Sequence, residues 1–188
     1  QILTPIMQYS APKMYWTGYN IHSDSLYTSF IDTLIDCFGN DKNEMITNSC
    51  GVLMPAIRFP YASNFVDDLI IEDIVAGFIH PIYPVNNQSS LVGMVIGSIG
   101  WKQLLTRTFS TSINGIYCVI STDTGSFTFY INQGKASFLG LGDLHDTTFA
   151  KFGQTSPVLD PGVRGAMITT YQLTIYPSSV FLDEYTSN

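Results

Sequence analysis

Phe78-Ile79-His80-Pro81-Ile82-Tyr83-Pro84-Val85 and Leu91-Val92-Gly93-Met94-Val95-Ile96-Gly97-Ser98-Ile99 are two extended, mostly apolar segments held apart by the polar run Asn86-Asn87-Gln88-Ser89-Ser90. Strand-length apolar runs on either side of a cluster of turn formers predict an antiparallel hairpin. Gly93 and Gly97 fall in the same register of the second strand, where a missing side chain marks a bend or the close approach of another element. From Trp101 the period changes, and Trp101, Leu104, Leu105 and Phe109 form the inner side of a short helix ending near Phe109.

Outward from this hairpin the chain divides into a helical part, 1–76, and a sheet-forming part, 77–188. Downstream, Ile116 to Ser121 and Phe127 to Asn132 flank the turn Thr122-Asp123-Thr124-Gly125, and Phe138 to Leu141 continues the meander. A final strand alternates Met167, Thr169, Tyr171, Leu173 and Ile175 with Ile168, Thr170, Gln172, Thr174 and Tyr176. The intervening Gly142 to Ala166 is too long for an empty loop. A short helix capped by Asp143 or Asp146 and ending at Gly153 fills part of it. Upstream, Leu26, Tyr27, Phe30, Ile31, Leu34, Ile35 and Phe38 give the stripe of an amphipathic helix, capped by Ser23 or Asp24 and ended by Gly39. Asp32 and Asp36 lie on its solvated face. The prolines of Val52 to Tyr61 restrict that segment to extended or edge backbone, and a second helix is expected over Asn64 to Ile71, with Asp67 and Asp68 in its first turn. This order predicts a single α+β domain with one antiparallel sheet of about five strands and helices on one face.

The 188 residues suffice for one core, and 45% hydrophobic content excludes intrinsic disorder. No run reaches the roughly 18 to 20 apolar residues of a membrane span. The opening Gln1-Ile2-Leu3-Thr4-Pro5 lacks the basic region of a signal peptide, so membrane contact is expected only through segments outside this chain. Eight basic against fifteen acidic residues give a net charge of -7 with no basic cluster, which excludes a nucleic-acid partner. Only 12% of residues are charged, about half the usual share of roughly 25%, and Ser and Thr take much of the polar remainder. Such a surface suits an extracellular or cell-surface protein. Cys37 and Cys50 flank a polar loop, and their closure in an oxidising compartment would add about 3 kcal/mol. Cys118 sits in the apolar run Ile116-Tyr117-Cys118-Val119-Ile120 and reads as a small buried hydrophobe. Asn87-Gln88-Ser89 is a glycosylation sequon in an evident turn.

No GxSxG, HExxH, Walker A or GxGxxG sequence is present, and the three histidines, His22, His80 and His145, belong to no signature, so a noncatalytic protein is expected, without a cofactor or metal. Gly142-Asp143-Leu144-His145-Asp146 gathers two carboxylates and an imidazole. They either orient a polar ligand or cap a short helix while His145 bonds locally. Arg58, between Pro55 and Pro60 with Tyr61 beside it, either reads a ligand carboxylate or snorkels. Tyr83, Trp101, Tyr117 and Tyr130 line an apolar pocket or belong to the core. The candidate ligand-binding set is Arg58, Tyr61, His80, Tyr83, Trp101, Tyr117, Asp143 and His145.

The hairpin and following Trp101-Lys102-Gln103-Leu104-Leu105 resemble the centre of Cache (PAS-like) extracytoplasmic sensor domains. Gly115-Ile116, Phe127-Thr128-Phe129-Tyr130-Ile131-Asn132, Phe138-Leu139-Gly140-Leu141-Gly142-Asp143-Leu144-His145-Asp146, Leu173-Thr174-Ile175-Tyr176-Pro177-Ser178 and Tyr185-Thr186-Ser187-Asn188 look like the ectodomain of receptor-type guanylate or adenylate cyclases of diatoms and related protists. The resemblance covers roughly residues 78 to 188. Those domains often carry two cysteines where this chain has Thr124 and Thr169. It implies a sheet order 2-1-5-4-3 and a small-ligand cavity under the N-terminal helix and the Arg58 segment. It also implies a signal passed through the last strand and Tyr185 toward a membrane helix, with any cyclase activity in a separate domain. A reading from another class is a secreted or surface structural subunit that self-assembles, as a homodimer or larger homo-oligomer, through the same fold.

Overall fold

The computed structural model describes residues 20–23, 25–40, 52–53, 57–58, 74–85, 91–158 and 169–186. Helix α1, Ser25–Asn40, follows a single 3-10 turn at Ile21–Ser23 and covers the expected apolar stripe. Ile31 and Leu34 are fully buried, and Tyr27, Phe30, Ile35 and Cys37 pack around them, while Asp32 and Asp36 stay exposed. Asp32 accepts a hydrogen bond from His22 Nε2 at 2.8 Å, tying the turn to the solvent side of the helix.

The hairpin forms from β3, Ile74–Ile82, and β4, Gly93–Gly100, in the register Ile79↔Ile96 and Phe78↔Gly97. Two short strands, β1, Val52–Leu53, and β2, Ile57–Arg58, pair with the opposite edge of β3. Residues opposite each other on antiparallel strands share a face. Ile79, Met94 and Ile96 therefore meet α1 on one side, and Ile74 and Ala76 point to the other. At Gly97 an added Cβ would lie 2.1 Å from the Phe78 ring, so the close approach expected there comes from the cross-strand phenylalanine.

Helix α2, Trp101–Thr108, buries Trp101 and Leu105, which lie four apart on one stripe. Leu104, expected on that inner side, is 39% exposed, because at about 100° per residue it falls off the stripe those two define. A second sheet contains β5, Ile116–Thr122; β6, Gly125–Asn132; β7, Lys135–Leu141; β8, Gln154–Pro157; and β9, Gln172–Pro177. All pairings are antiparallel and the order is β7-β6-β5-β9-β8. Helix α3, Ser179–Thr186, closes the described chain.

The α+β class and a five-stranded antiparallel sheet are as expected, but the strands are shared out differently. The hairpin builds its own four-stranded sheet, and the last strand lies between β5 and β8. An order of 2-1-5-4-3 would place it beside the first hairpin strand. Both edges of that strand, β3, are already taken, by β4 and by β1 and β2. β9 instead matches its apolar alternation to β5, with Ile175 opposite Cys118 and Leu173 opposite Ile120. β8 was not anticipated from sequence, because Gln154-Thr155-Ser156-Pro157 carries no apolar alternation.

One core joins the two sheets. Ile116, Cys118, Ile120, Phe127, Phe129, Ile131, Ala136 and Tyr171 cover the inner face of the five-stranded sheet and cluster with Trp101 and Leu105 of α2 and Ile74 and Ala76 of β3. Helix α1 thus covers the hairpin sheet on the side away from this core, where the expectation put it over the main sheet. The expected helix over 64–71, the turn 86–90 with Asn87, and the start of the final strand at Met167 lie outside the described residues.

Candidate functional site

Residues 142–153 leave β7 at one edge of the five-stranded sheet and reach β8 at the other, so they cross its outer face. Buried Thr128 of β6 holds the start of this crossing: its Oγ1 donates to the Gly142 carbonyl at 2.7 Å and accepts from Leu144 N at 3.0 Å. Gly142 makes the turn at φ +91, a conformation that favours glycine. Asp146 then caps the 3-10 helix Thr147–Phe152, accepting from Thr148 N at 2.9 Å, and Gly153 ends it. That hydrogen bond, with a second from the Thr148 side chain, holds the Asp146 carboxyl below its ordinary range.

Asp143 and His145 meet above the sheet. Asp143 Oδ1 accepts from His145 Nδ1 at 2.5 Å and from the His145 backbone N at 3.3 Å. The imidazole stacks on Tyr176 with ring centroids 3.6 Å apart and planes 3° from parallel. Gly153 also lies against that tyrosine, since an added Cβ would lie 2.4 Å from its Cε1. Tyr176 is the cross-strand partner of Tyr117, which in turn stands beside Tyr130 with centroids 5.0 Å apart. Burial and then Asp143 raise the Tyr176 hydroxyl; burial, Tyr130 and Asp146 raise that of Tyr117. Chemically the cluster is a held turn: Oδ1 of each carboxylate accepts local hydrogen bonds, and among the described residues His145 Nε2 is buried without a hydrogen-bond partner. Among the described residues no group of three or more His, Cys, Asp or Glu could hold a metal ion.

The interior between the sheets is a second candidate. Trp101 packs against Tyr171 at 5.3 Å and Phe127 at 6.1 Å, and its Nε1 is buried with no hydrogen-bond partner among the described residues. Thr169, two residues before Tyr171, is also buried, and its Oγ1 has no partner among the described residues. Buried polar atoms are ordinarily paired, and Trp101 Nε1 and Thr169 Oγ1 are exceptions among the described residues. Burial, reinforced by Asp123, raises the Tyr171 hydroxyl strongly, and burial pushes the Cys118 thiol up to about 12.

The structure brings together Tyr117, Asp143 and His145 on the outer face and sets Trp101 apart in the core. Arg58 lies in β2 as the partner of Ile74, whose side chain belongs to that core; Tyr61 is outside the described residues. His80 is exposed on β3, and Tyr83 is half-buried just beyond it. Cys37 is disulfide-bonded, Cys118 is free and buried, and Cys50 and Asn87 lie outside the described residues. No family model, no curated protein and no solved structure matches this chain. Sequence reasoning did not single out Tyr176, Thr128, Tyr171 or Thr169 as site residues. The alternation that put Tyr171 and Tyr176 on opposite faces of one strand was the available signal.

Proposed function

We propose that this chain is a noncatalytic, extracytoplasmic sensory domain of the PAS-like (Cache) kind, one part of a membrane receptor with a nucleotide-cyclase or similar output. A small polar molecule binds between the two sheets beside Trp101. The observation that carries this reading is the buried, unpaired Trp101 Nε1 in an otherwise apolar cluster. Leaving such a donor unmet costs about 1–3 kcal/mol, and a ligand acceptor removes that cost. The low charge of the chain, the disulfide at Cys37 and the resemblance of residues 78 to 188 to cyclase ectodomains support the extracytoplasmic setting.

A route to the output starts at the same place. Segment 109–115 follows α2 and holds α3: Ser178 N donates to the Gly115 carbonyl at 2.8 Å, Tyr185 Oη to the Ser112 carbonyl at 3.1 Å, and Asn114 Nδ2 to Glu184 at 3.3 Å. A ligand that favours one setting of α2 over another shifts α3 with it, in proportion to its difference in affinity for the two.

The test is a thermal-shift screen of the chain against small carboxylates, amino acids and nucleobases, followed by titration of the best binder. Trp101→Phe deletes the N–H and one ring of the indole; it should weaken binding at least tenfold, and the cost of the cavity it leaves is read separately by unfolding without ligand. Binding that persists unchanged in both Trp101→Phe and Thr169→Val would defeat the assignment.

A further inference from the structure

We propose that the outer edge of β4 docks a second copy of this chain, the two β4 strands pairing antiparallel about a two-fold axis so that two hairpin sheets become one. The inference stands apart from the small-ligand reading, since it uses a different surface and a different partner.

A free strand edge presents a row of backbone donors and acceptors, and proteins guard such edges with charge, proline or brevity. The other described edges are guarded. β7 carries Lys135, β8 spans only Gln154–Pro157 and ends in proline, and β1 and β2 are two residues each. β4 has none of these devices. Its eight residues, Gly-Met-Val-Ile-Gly-Ser-Ile-Gly, include no charge and no proline, and among the described residues its outer side has no hydrogen-bonding partner. The edge is unguarded over a length well suited to pairing.

Charge and relief select a copy of the same chain as the occupant. The protein carries a net charge of -7, which opposes self-association in general, yet neither β3 nor β4 contains an acidic residue. Two copies can approach here without facing like charges. An antiparallel pair of identical strands satisfies each outward N–H with a C=O of the same sequence, so a two-fold contact is complementary without further fitting. Beside the edge, Val95 is 49% and Ile82 42% exposed, with Phe78, 37% exposed, against Gly97 on the same face. Pairing brings this apolar strip against its symmetry mate and extends it across the joined sheet.

Sedimentation of the chain over a concentration series, with hydrogen exchange read on the β4 amides, tests the proposal. The expected result is a monomer–dimer equilibrium in which every second β4 amide gains protection as the dimer fills. Val95→Lys with Ser98→Lys, both at exposed positions, should raise the dissociation constant at least tenfold with circular dichroism unchanged. Leu139→Lys on β7 should leave it alone. A wild-type monomer at every concentration whose β4 amides are nevertheless protected would mean that another part of the chain covers the edge, and would overturn the proposal. So would a monomer with unprotected amides, or a dimer indifferent to the double lysine change.

Discussion

Thr128 and Thr169 are both buried threonines, and the same substitution should affect them in opposite directions. Thr128→Val keeps the volume but strips the Gly142 carbonyl and the Leu144 amide of their partner. Unfolding in urea should show a loss of about 1–3 kcal/mol, from two part-buried hydrogen bonds at about 0.5–1.5 kcal/mol each. Thr169→Val removes a hydroxyl that pairs with nothing among the described residues, and should leave stability unchanged or raised. Cys118 gives a pH dependence at the same scale. Burial lifts its thiol from 9.0 to about 12, so the unfolded chain ionises first as pH rises. Its contribution is intact below pH 9 and is lost as pH climbs toward 12, at about 1.4 kcal/mol per unit between those limits. Denaturant midpoints at pH 8 and pH 10.5 should differ by less in Cys118→Ala than in the native chain. The burial of Cys118 was legible from its apolar neighbours. The bonds of Thr128 were not, because a hydroxyl between two phenylalanines in a strand does not announce which distant turn it will hold.

At the scale of elements, the hairpin depends on a glycine seated under an aromatic ring. Gly97→Ala would push a methyl group into Phe78, and about 1–3 kcal/mol of overpacking should appear as a lower melting temperature. In Phe78→Leu the same alanine should cost less than half as much, which a double-mutant cycle reads directly. Local patterns made most of these elements legible. The apolar stripe of α1, the hairpin around a polar turn, the strands of the meander, and a 3-10 helix bounded by Asp146 and Gly153 all come from periods and caps within a few residues. Leu104 went astray because its apolar character says nothing about the angle at which α2 meets the core. The stacking of His145 on Tyr176 was also beyond local reading, since it joins a loop to a strand 31 positions later (176 − 145).

For the whole molecule, the shared core predicts that the two sheets melt together. Trp101 and Leu105 touch both the inner face of the five-stranded sheet and β3, so neither sheet keeps its interior if the other opens. Trp101 fluorescence, recorded in a Trp16→Phe background, and Cys118 accessibility to a thiol reagent should report one midpoint. Leu105→Ala, at 2% exposure in the same cluster, should lower that midpoint for both probes, through a stability loss of about 2–5 kcal/mol. Strand order was the part least legible in advance. Side-chain alternation tells which face a strand buries but not which neighbour it chooses, and that choice fell to edges left vacant after β1 and β2 had flanked β3.

The late partner of β5 shapes how the chain must fold as it is made. β5 and β6 can zip together once Asn132 has emerged, yet the far edge of β5 waits for β9, which begins at Gln172. Through that interval an almost wholly apolar strand, Ile116–Thr122, stands open on one side to any other nascent chain. Vectorial synthesis therefore leaves β5 open from the emergence of Asn132 until that of Leu173 and Ile175, and a holdase that shields β5 through that interval would raise the yield of folded protein.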